Sequence, residues 1–185
     1  LVGVDRSMGT LRSGLRKLRI ADNTMLWFNS DNGGWIDPAK PNAHGETGGL
    51  RGREGDMWEG GVRVPAIVEW PARIRQPFVT DVPASVCDMF PTIVDILKLK
   101  VPDQVEPLDG VSLVSLLDGH MKERPRPIGF WQYAESQPTF NTDSGPSAWN
   151  DNRYKLGKSA PNKSELYDLT LDLSEKNDLA AKHPE

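Results

Sequence analysis

The sequence predicts an α/β chain, with helices flanking part of a sheet, followed by a small antiparallel sheet and a terminal helix. Three observations carry this. Apolar residues recur at helical spacing near the start, and an unbroken apolar run follows at Thr24–Phe28. From about Arg126 the texture changes to short strand candidates separated by turn residues. The change divides the chain into residues 1–125 and 126–185.

Val4, Met8, Leu11, Leu15 and Leu18 fall at spacings of four and three, with Arg12, Arg16 and Lys17 between them. This is an amphipathic helix with one face to bury. Thr24-Met25-Leu26-Trp27-Phe28 is short and apolar throughout, as in a strand covered on both faces. It runs into Asn29-Ser30-Asp31-Asn32-Gly33-Gly34, and residues 33–49 form a Gly, Pro and Asn-rich loop too long for a simple connection. A second strand is expected at Val62–Trp70, ended by Pro71. Val86, Phe90, Ile93, Val94 and Leu97 make a second helical stripe, with Pro91 in the first turn where a missing N–H costs little. Ser112–Leu117 is a short helix with Gly119 placed to stop it. Beyond it, Ile128–Tyr133, Ser147–Trp149, Arg153–Leu156 and Glu165–Leu169 read as short strands, with Asn150-Asp151-Asn152 as a hairpin turn. Asp172 followed by Glu175 reads as a helix start.

Composition narrows the function classes. The 185 residues carry a net charge of −4 without a basic run, which argues against nucleic acid as the main partner. No apolar stretch approaches the ~18 residues of a membrane span. With 17 glycines and 15 prolines, much of the chain must be turn and loop. One cysteine, Cys87, cannot form an intrachain disulfide and leaves the compartment open. The chain starts with Leu inside a helical pattern, as expected of a sequence entered partway through a domain.

Asp31 and Asn32 sit where a strand leaves its sheet, the place where open α/β sheets hold ligands. They supply a carboxylate and an amide carbonyl, hard oxygen donors suited to Ca²⁺ or Mg²⁺. Gly33 and Gly34 permit the turn that would aim both at one target. Taken alone, the tetrapeptide reads first as an ordinary turn, because such turns are common.

The longer context resembles a known family. The block from Asn23 to Gly34, the block from Leu50 to Ala66 (Leu-Arg-Gly-Arg-Glu-Gly-Asp-Met-Trp-Glu-Gly-Gly-Val-Arg-Val-Pro-Ala), Asp88-Met89-Phe90-Pro91-Thr92 and Leu108-Asp109-Gly110-Val111-Ser112-Leu113 occur in family order. Arg153-Tyr154-Lys155-Leu156 and Glu165-Leu166-Tyr167-Asp168-Leu169 follow. Together they are similar to the carboxy-terminal part of the formylglycine-dependent sulfatases. The resemblance implies an alkaline-phosphatase-like mixed sheet flanked by helices, here in part, then a small antiparallel sheet with a terminal helix. It implies hydrolysis of a sulfate ester of a carbohydrate or aryl substrate at one Ca²⁺, with Asp31 and Asn32 as metal ligands. It implies that the partner is a sulfated small molecule or glycan, and that the nucleophilic formylglycine lies in an amino-terminal half outside this sequence. Periplasmic, lysosomal-type or secreted relatives are common in the family.

Two departures stand out. The family nucleophile lies in Cys/Ser-x-Pro-x-Arg, and Cys87-Asp88-Met89-Phe90-Pro91 is not that pattern, so no catalytic residue is expected in this chain. Cys87 reads as a small buried apolar residue. Glu54 stands where the family usually has a Lys that contacts sulfate. Arg53 or Arg51 takes over the anion contact, or the site is impaired, or Glu54 turns outward. The planar guanidinium fork favours Arg53, then Arg51, while the plain alternative makes both solvated loop charges. Two rival functions are a phospho- or phosphonoester hydrolase of the same superfamily and a non-catalytic binding module. Glu59 and Arg63 are expected to pair structurally. His44, His120 and His183 have no sequence partner. Trp35, Trp58, Trp131 and Trp149 are mostly core candidates, with room for one or two in a sugar cleft.

Overall fold

The computed structural model describes residues 2–35, 39, 45–131, 146–160 and 163–183. Helix α1, Val2–Lys17, carries the first stripe, with Asp5 in its first turn and Arg16 and Lys17 in its last, charges that suit the helix dipole. A 3₁₀ turn at Ala21–Asn23 leads into β1, Leu26–Asn29, which is half-buried rather than enclosed on both faces. β1 pairs antiparallel with β2, Ala66–Glu69, from Leu26↔Glu69 to Asn29↔Ala66. Arg12 of α1 forks onto Glu69 at 2.7 and 2.9 Å and fastens the helix to this pair.

The strand expected over Val62–Trp70 is shorter. Glu59–Val62 is a helical turn, α2, and only Ala66–Glu69 joins the sheet. Val62 continues the apolar pattern, but its N–H donates to Trp58 O and closes the turn.

Helix α3, Met89–Leu97, follows a 3₁₀ turn at Val86–Asp88 that is closed by a Ser85–Asp88 capping box. Its facing is the reverse of the expected one. Asp88 and Thr92 are 0% exposed, whereas Val86, Phe90, Ile93 and Leu97 are 42–59% exposed. Arg124 donates to both oxygens of Asp88 at 2.6 and 2.7 Å, and Val111 N–H donates to Asp88 Oδ1 at 2.8 Å. The Thr92 hydroxyl donates to Asp88 O and accepts from Leu113 N–H. These bonds turn the polar side of α3 inward. Cys87, expected to be buried, is consequently exposed on the outer side of the turn.

Helix α4, Val114–Leu117, ends at Gly119, whose φ of +77° is the left-handed stop. Val111, Leu113 and Leu116 form a small core joined by Trp27 of β1, Val82 and Met121. The second sheet runs β3 (Ile128–Trp131), β4 (Ser147–Asn150), β5 (Tyr154–Ala160) and β6 (Lys163–Asp168) in that order, antiparallel throughout. The turn between β4 and β5 is the one expected, with Asn152 at φ +83°. Its side chain accepts from Arg124 N–H at 2.6 Å and donates to Arg124 O at 3.0 Å. The terminal helix is reduced to a 3₁₀ turn at Ala180–Lys182. Asp172 instead folds a tight turn, its Oδ2 accepting from Lys176 and Asn177 N–H at 2.8 and 2.7 Å. No helix among the described residues is long and apolar enough to cross a membrane.

A buried charge cluster joins the two sheets. Lys155 of β5, 1% exposed, donates to Glu59 Oε1 at 2.9 Å and stands 3.0 Å from Glu175 Oε1 as an ion pair. Glu175 Oε2 accepts from Glu59 N–H at 2.6 Å, and Arg63 donates to Glu59 Oε2 at 3.0 Å, the pairing expected from sequence. Burial pushes the Glu175 carboxyl up, with Lys155 opposing. On β6, hydrogen bonds from Arg153 and Thr170 hold the buried Asp168 down to about 2.

Lys155→Met leaves two carboxylates facing each other without their shared cation. A loss of about 3–5 kcal/mol is expected in urea unfolding, largely recovered when Glu59→Gln and Glu175→Gln are added. Asp168 has a folded pKa below its unfolded value, so its contribution is present above about pH 4 and is lost as pH falls through about 2. Asp168→Asn should flatten the acid limb of stability over that window, which acid titration followed by circular dichroism reads directly.

Candidate functional site

The site grows out of the end of β1. Ser30 N–H donates to Pro65 O at 3.2 Å, extending the β1–β2 ladder by one step. Gly33 N–H then donates to Gly61 O at 2.9 Å and draws the chain onto α2. The approach is close enough to require glycine. A Cβ on Gly33 would meet Gly60 O at 1.7 Å, one on Gly60 would meet Gly52 O at 2.3 Å, and one on Gly61 would meet Asp56 O at 2.1 Å. Three backbone segments therefore stack without side chains between them.

Asp31 and Asn32 stand exposed on this platform. Ser30 Oγ lies 3.5 Å from Asp31 Oδ1 and donates to Asn32 O at 3.0 Å, which holds the bend. The Asn32 side chain has no partner among the described residues. An exposed carboxylate and a free amide carbonyl at a strand end fit a hard cation, which takes six or more oxygens. No group of three or more His, Cys, Asp or Glu able to hold a metal exists among the described residues, so this pair would be part of a ligand shell.

The two arginines of the next loop separate. Arg51 turns inward. Its guanidinium lies 4.0 Å over the Trp58 ring, donates to Tyr167 Oη at 2.6 Å and to Glu175 O at 3.1 Å, and stands 3.6 Å from Glu165. It clamps the loop to β6, with its side chain about one-third exposed. Trp58 serves the same clamp. Arg53 turns outward: its N–H donates to Asp56 Oδ2 at 3.0 Å, and its guanidinium has no partner among the described residues. It edges a cavity of about 730 Å³ bounded by Gly45–Gly49, Gly52 and Asp56. Glu54 donates its N–H to Gly34 O at 3.2 Å, and its half-buried carboxylate has no partner among the described residues.

Of the other candidates, His44 and the side chain of Trp131 lie outside the described residues. His120 is exposed, and His183 N–H bonds back to Leu179 O at 3.2 Å. Trp35 and Trp149 are about half exposed. Sequence reasoning missed Lys155, Tyr167 and Glu175 as supports of the loop. Lys155 and Tyr167 lie in tail segments singled out for resemblance and Glu175 in the expected helix start, which was the available signal.

The chain matches the family model described as Sulfatase over residues 1–99 and that described as N-sulphoglucosamine sulphohydrolase, C-terminal, over residues 52–184. It is 34% identical to a sulfatase of Formosa agariphila over 89% of this chain and 30% of that protein. It is 30% identical to an N-acetylgalactosamine-6-O-sulfatase of Bacteroides thetaiotaomicron over 100% of this chain and 38% of that protein. Steryl-sulfatase of Rattus norvegicus is 37% identical over 64% of this chain and 21% of that protein. Among solved structures, i-CgsB in complex with k-i-k-neocarrahexaose superposes with a TM-score of 0.80 at 26% identity, over 98% of this chain and 38% of that one. The chain thus spans about a fifth to two fifths of the length of these relatives.

Gly33→Ala should cost about 1–3 kcal/mol and displace Asp31, because its methyl meets a backbone carbonyl that cannot swing aside. Gly14→Ala on α1, where a Cβ meets nothing within 4 Å, should stabilise by about 0.5–1 kcal/mol. Paired thermal melts of the two variants check both.

Proposed function

The chain belongs to the sulfatase family, and on that premise we propose that the complete protein hydrolyses a sulfate ester at a site this chain helps to build. Asp31 and Asn32 contribute two oxygens to a Ca²⁺ ion, and Arg53 contacts the sulfate. The observation that carries this reading is an exposed carboxylate and an amide carbonyl side by side at one strand end, together with an outward arginine in the next loop whose guanidinium has no partner among the described residues. A bound divalent cation would polarise the sulfate oxygens and offset charge developing on them. Arg53 offers paired N–H donors to the same oxyanion. The remaining metal ligands and the formylglycine nucleophile belong to an amino-terminal half outside this sequence. The outward apolar faces of α1 and α3 are the surfaces that half would cover.

Glu54 favours a second reading, a binding module that keeps the fold without turnover, because a carboxylate facing a sulfate monoester repels it. Sulfate release by the complete protein separates the two readings.

Asp31→Asn should weaken Ca²⁺ binding about tenfold or more and reduce turnover with it, as read by calcium titration and sulfate release. Wild-type values for both would remove the ligand assignment. Arg53→Ala should cost about 1.5–3 kcal/mol in kcat/KM, whereas Arg51→Ala should appear mainly as lost stability. Glu54→Lys should leave activity equal or higher.

A further inference from the structure

The cavity beside Arg53 bears on the substrate, on the premise that the protein hydrolyses sulfate esters. Its walls are Gly45–Gly49, Gly52, Arg53 and Asp56. Not one lining residue among those described is aromatic or a branched aliphatic. Four are glycines, which present backbone rather than side chain. Gly48 and Gly49 point their missing Cβ into open space, and their N–H groups have no partner among the described residues. Glu46 is exposed, and its carboxylate has no partner among the described residues. Thr47 donates its hydroxyl to Leu50 O at 3.0 Å, which holds the turn that carries Glu46. Trp35, 54% exposed, is tied to this wall by its backbone alone, its carbonyl accepting from Gly45 N–H at 2.8 Å.

Pockets that bind flat apolar molecules are lined mostly by hydrophobic and aromatic side chains, with few polar groups. Here the proportions are inverted. A steroid or simple aryl group would cover free N–H groups and a carboxylate without satisfying them, and a site built to bond hydroxyls rejects ligands that lack them. A sugar ring matches the wall, because its hydroxyls accept from backbone N–H and donate to a carboxylate.

We propose that this cavity is a saccharide subsite, that Glu46 takes sugar hydroxyls as the specificity-determining residue, and that the ester cleaved is a sulfated sugar rather than an aryl or steroid sulfate. Arg53 marks the sulfate end of the subsite and Glu46 the sugar end.

The test assays the complete protein against a panel of sulfated hexoses and N-acetylhexosamines, a steroid sulfate and 4-nitrophenyl sulfate. At least one sugar sulfate should have the highest kcat/KM. Glu46→Ala should lower the ratio of kcat/KM for that sugar to kcat/KM for 4-nitrophenyl sulfate about tenfold, through KM, since one charge-assisted hydrogen bond is lost. A steroid sulfate preferred over every sugar would overturn the subsite and leave the sulfatase reading standing. So would a Glu46→Ala variant in which both substrates change alike. Sulfate released from no compound on the panel would remove the sulfatase reading itself and the subsite with it.

Discussion

The buried cluster of Glu59, Lys155 and Glu175 is the constraint on which the rest of the architecture depends. Its members come from three distant stretches: the start of α2, the start of β5 and the turn after β6. Removing charges from water costs several kcal/mol each, and mutual attraction repays that only with good geometry. Here two carboxylates meet Lys155 and Arg63, so the cluster is close to neutral, and the Glu59 N–H consumes a further oxygen. Such a cluster specifies position more than it adds stability. It fixes α2 against the second sheet, and α2 in turn supplies Gly60 and Gly61 as the platform for Gly33. Arg51 reinforces the same joint through Trp58, Tyr167 and Glu175. The placement of Asp31 and Asn32 is thus set by residues more than a hundred positions away.

Asp88 and Arg124 repeat the principle on the other flank. One carboxylate accepts from Arg124, Val111 and Ser85, and Thr92 one turn later bonds both Asp88 and Leu113. Because these polar groups occupy the inner face of α3, its apolar face looks out. The same holds for α1, on which no residue is buried. Among the described residues the buried apolar set is correspondingly small, eight residues centred on α4 and the second sheet. A chain with this distribution is held together by specific polar joints and carries apolar surface suited to a further packed layer.

Local signals made much of this legible. The continuous run ending at Phe28 located β1 to within two residues, Gly119 marked the end of α4, and Asn150–Asn152 marked the hairpin. Each depends on backbone preferences acting over a few positions. What stayed hidden depends on distant partners. Apolar periodicity placed Val62 in a strand, yet the buried carboxylate of Glu59, held by Lys155, keeps that turn helical. Periodicity likewise assigned the stripe of α3 and Cys87 to the interior, because a stripe reveals that a face is apolar and not which neighbour it meets. Arg51 and Arg53 are equivalent in a linear reading. Only the position of Tyr167 and Trp58 distinguishes the clamp from the free cation. Asp172 has the chemistry of a helix cap, but the N–H groups of Lys176 and Asn177 turn back on it and close the chain into a turn.

Glu54 is the sharpest departure, and the geometry gives it a physical reading. Its N–H is tied to Gly34 O, so its backbone position belongs to the platform beneath Asp31 and Asn32. A lysine there would place a mobile cation beside the proposed metal ligands. A glutamate removes that cation and leaves Arg53, one residue earlier, as the cation with no protein partner. Arg53 and Glu54 open a tight turn closed by Asp56 N–H donating to Arg53 O at 2.9 Å, so a carboxylate at 54 and a guanidinium at 53 need not share a target. An anion held by the Arg53 fork would then lie toward the cavity edge, with Glu54 contributing a negative field from below. That field opposes the sulfate and favours the cation, and the distance over which each acts decides the balance. Under the proposed assignment, a site so arranged would lean more heavily on its metal and on Arg53 than a lysine-bearing one, because the local cation that would have shared the load is absent.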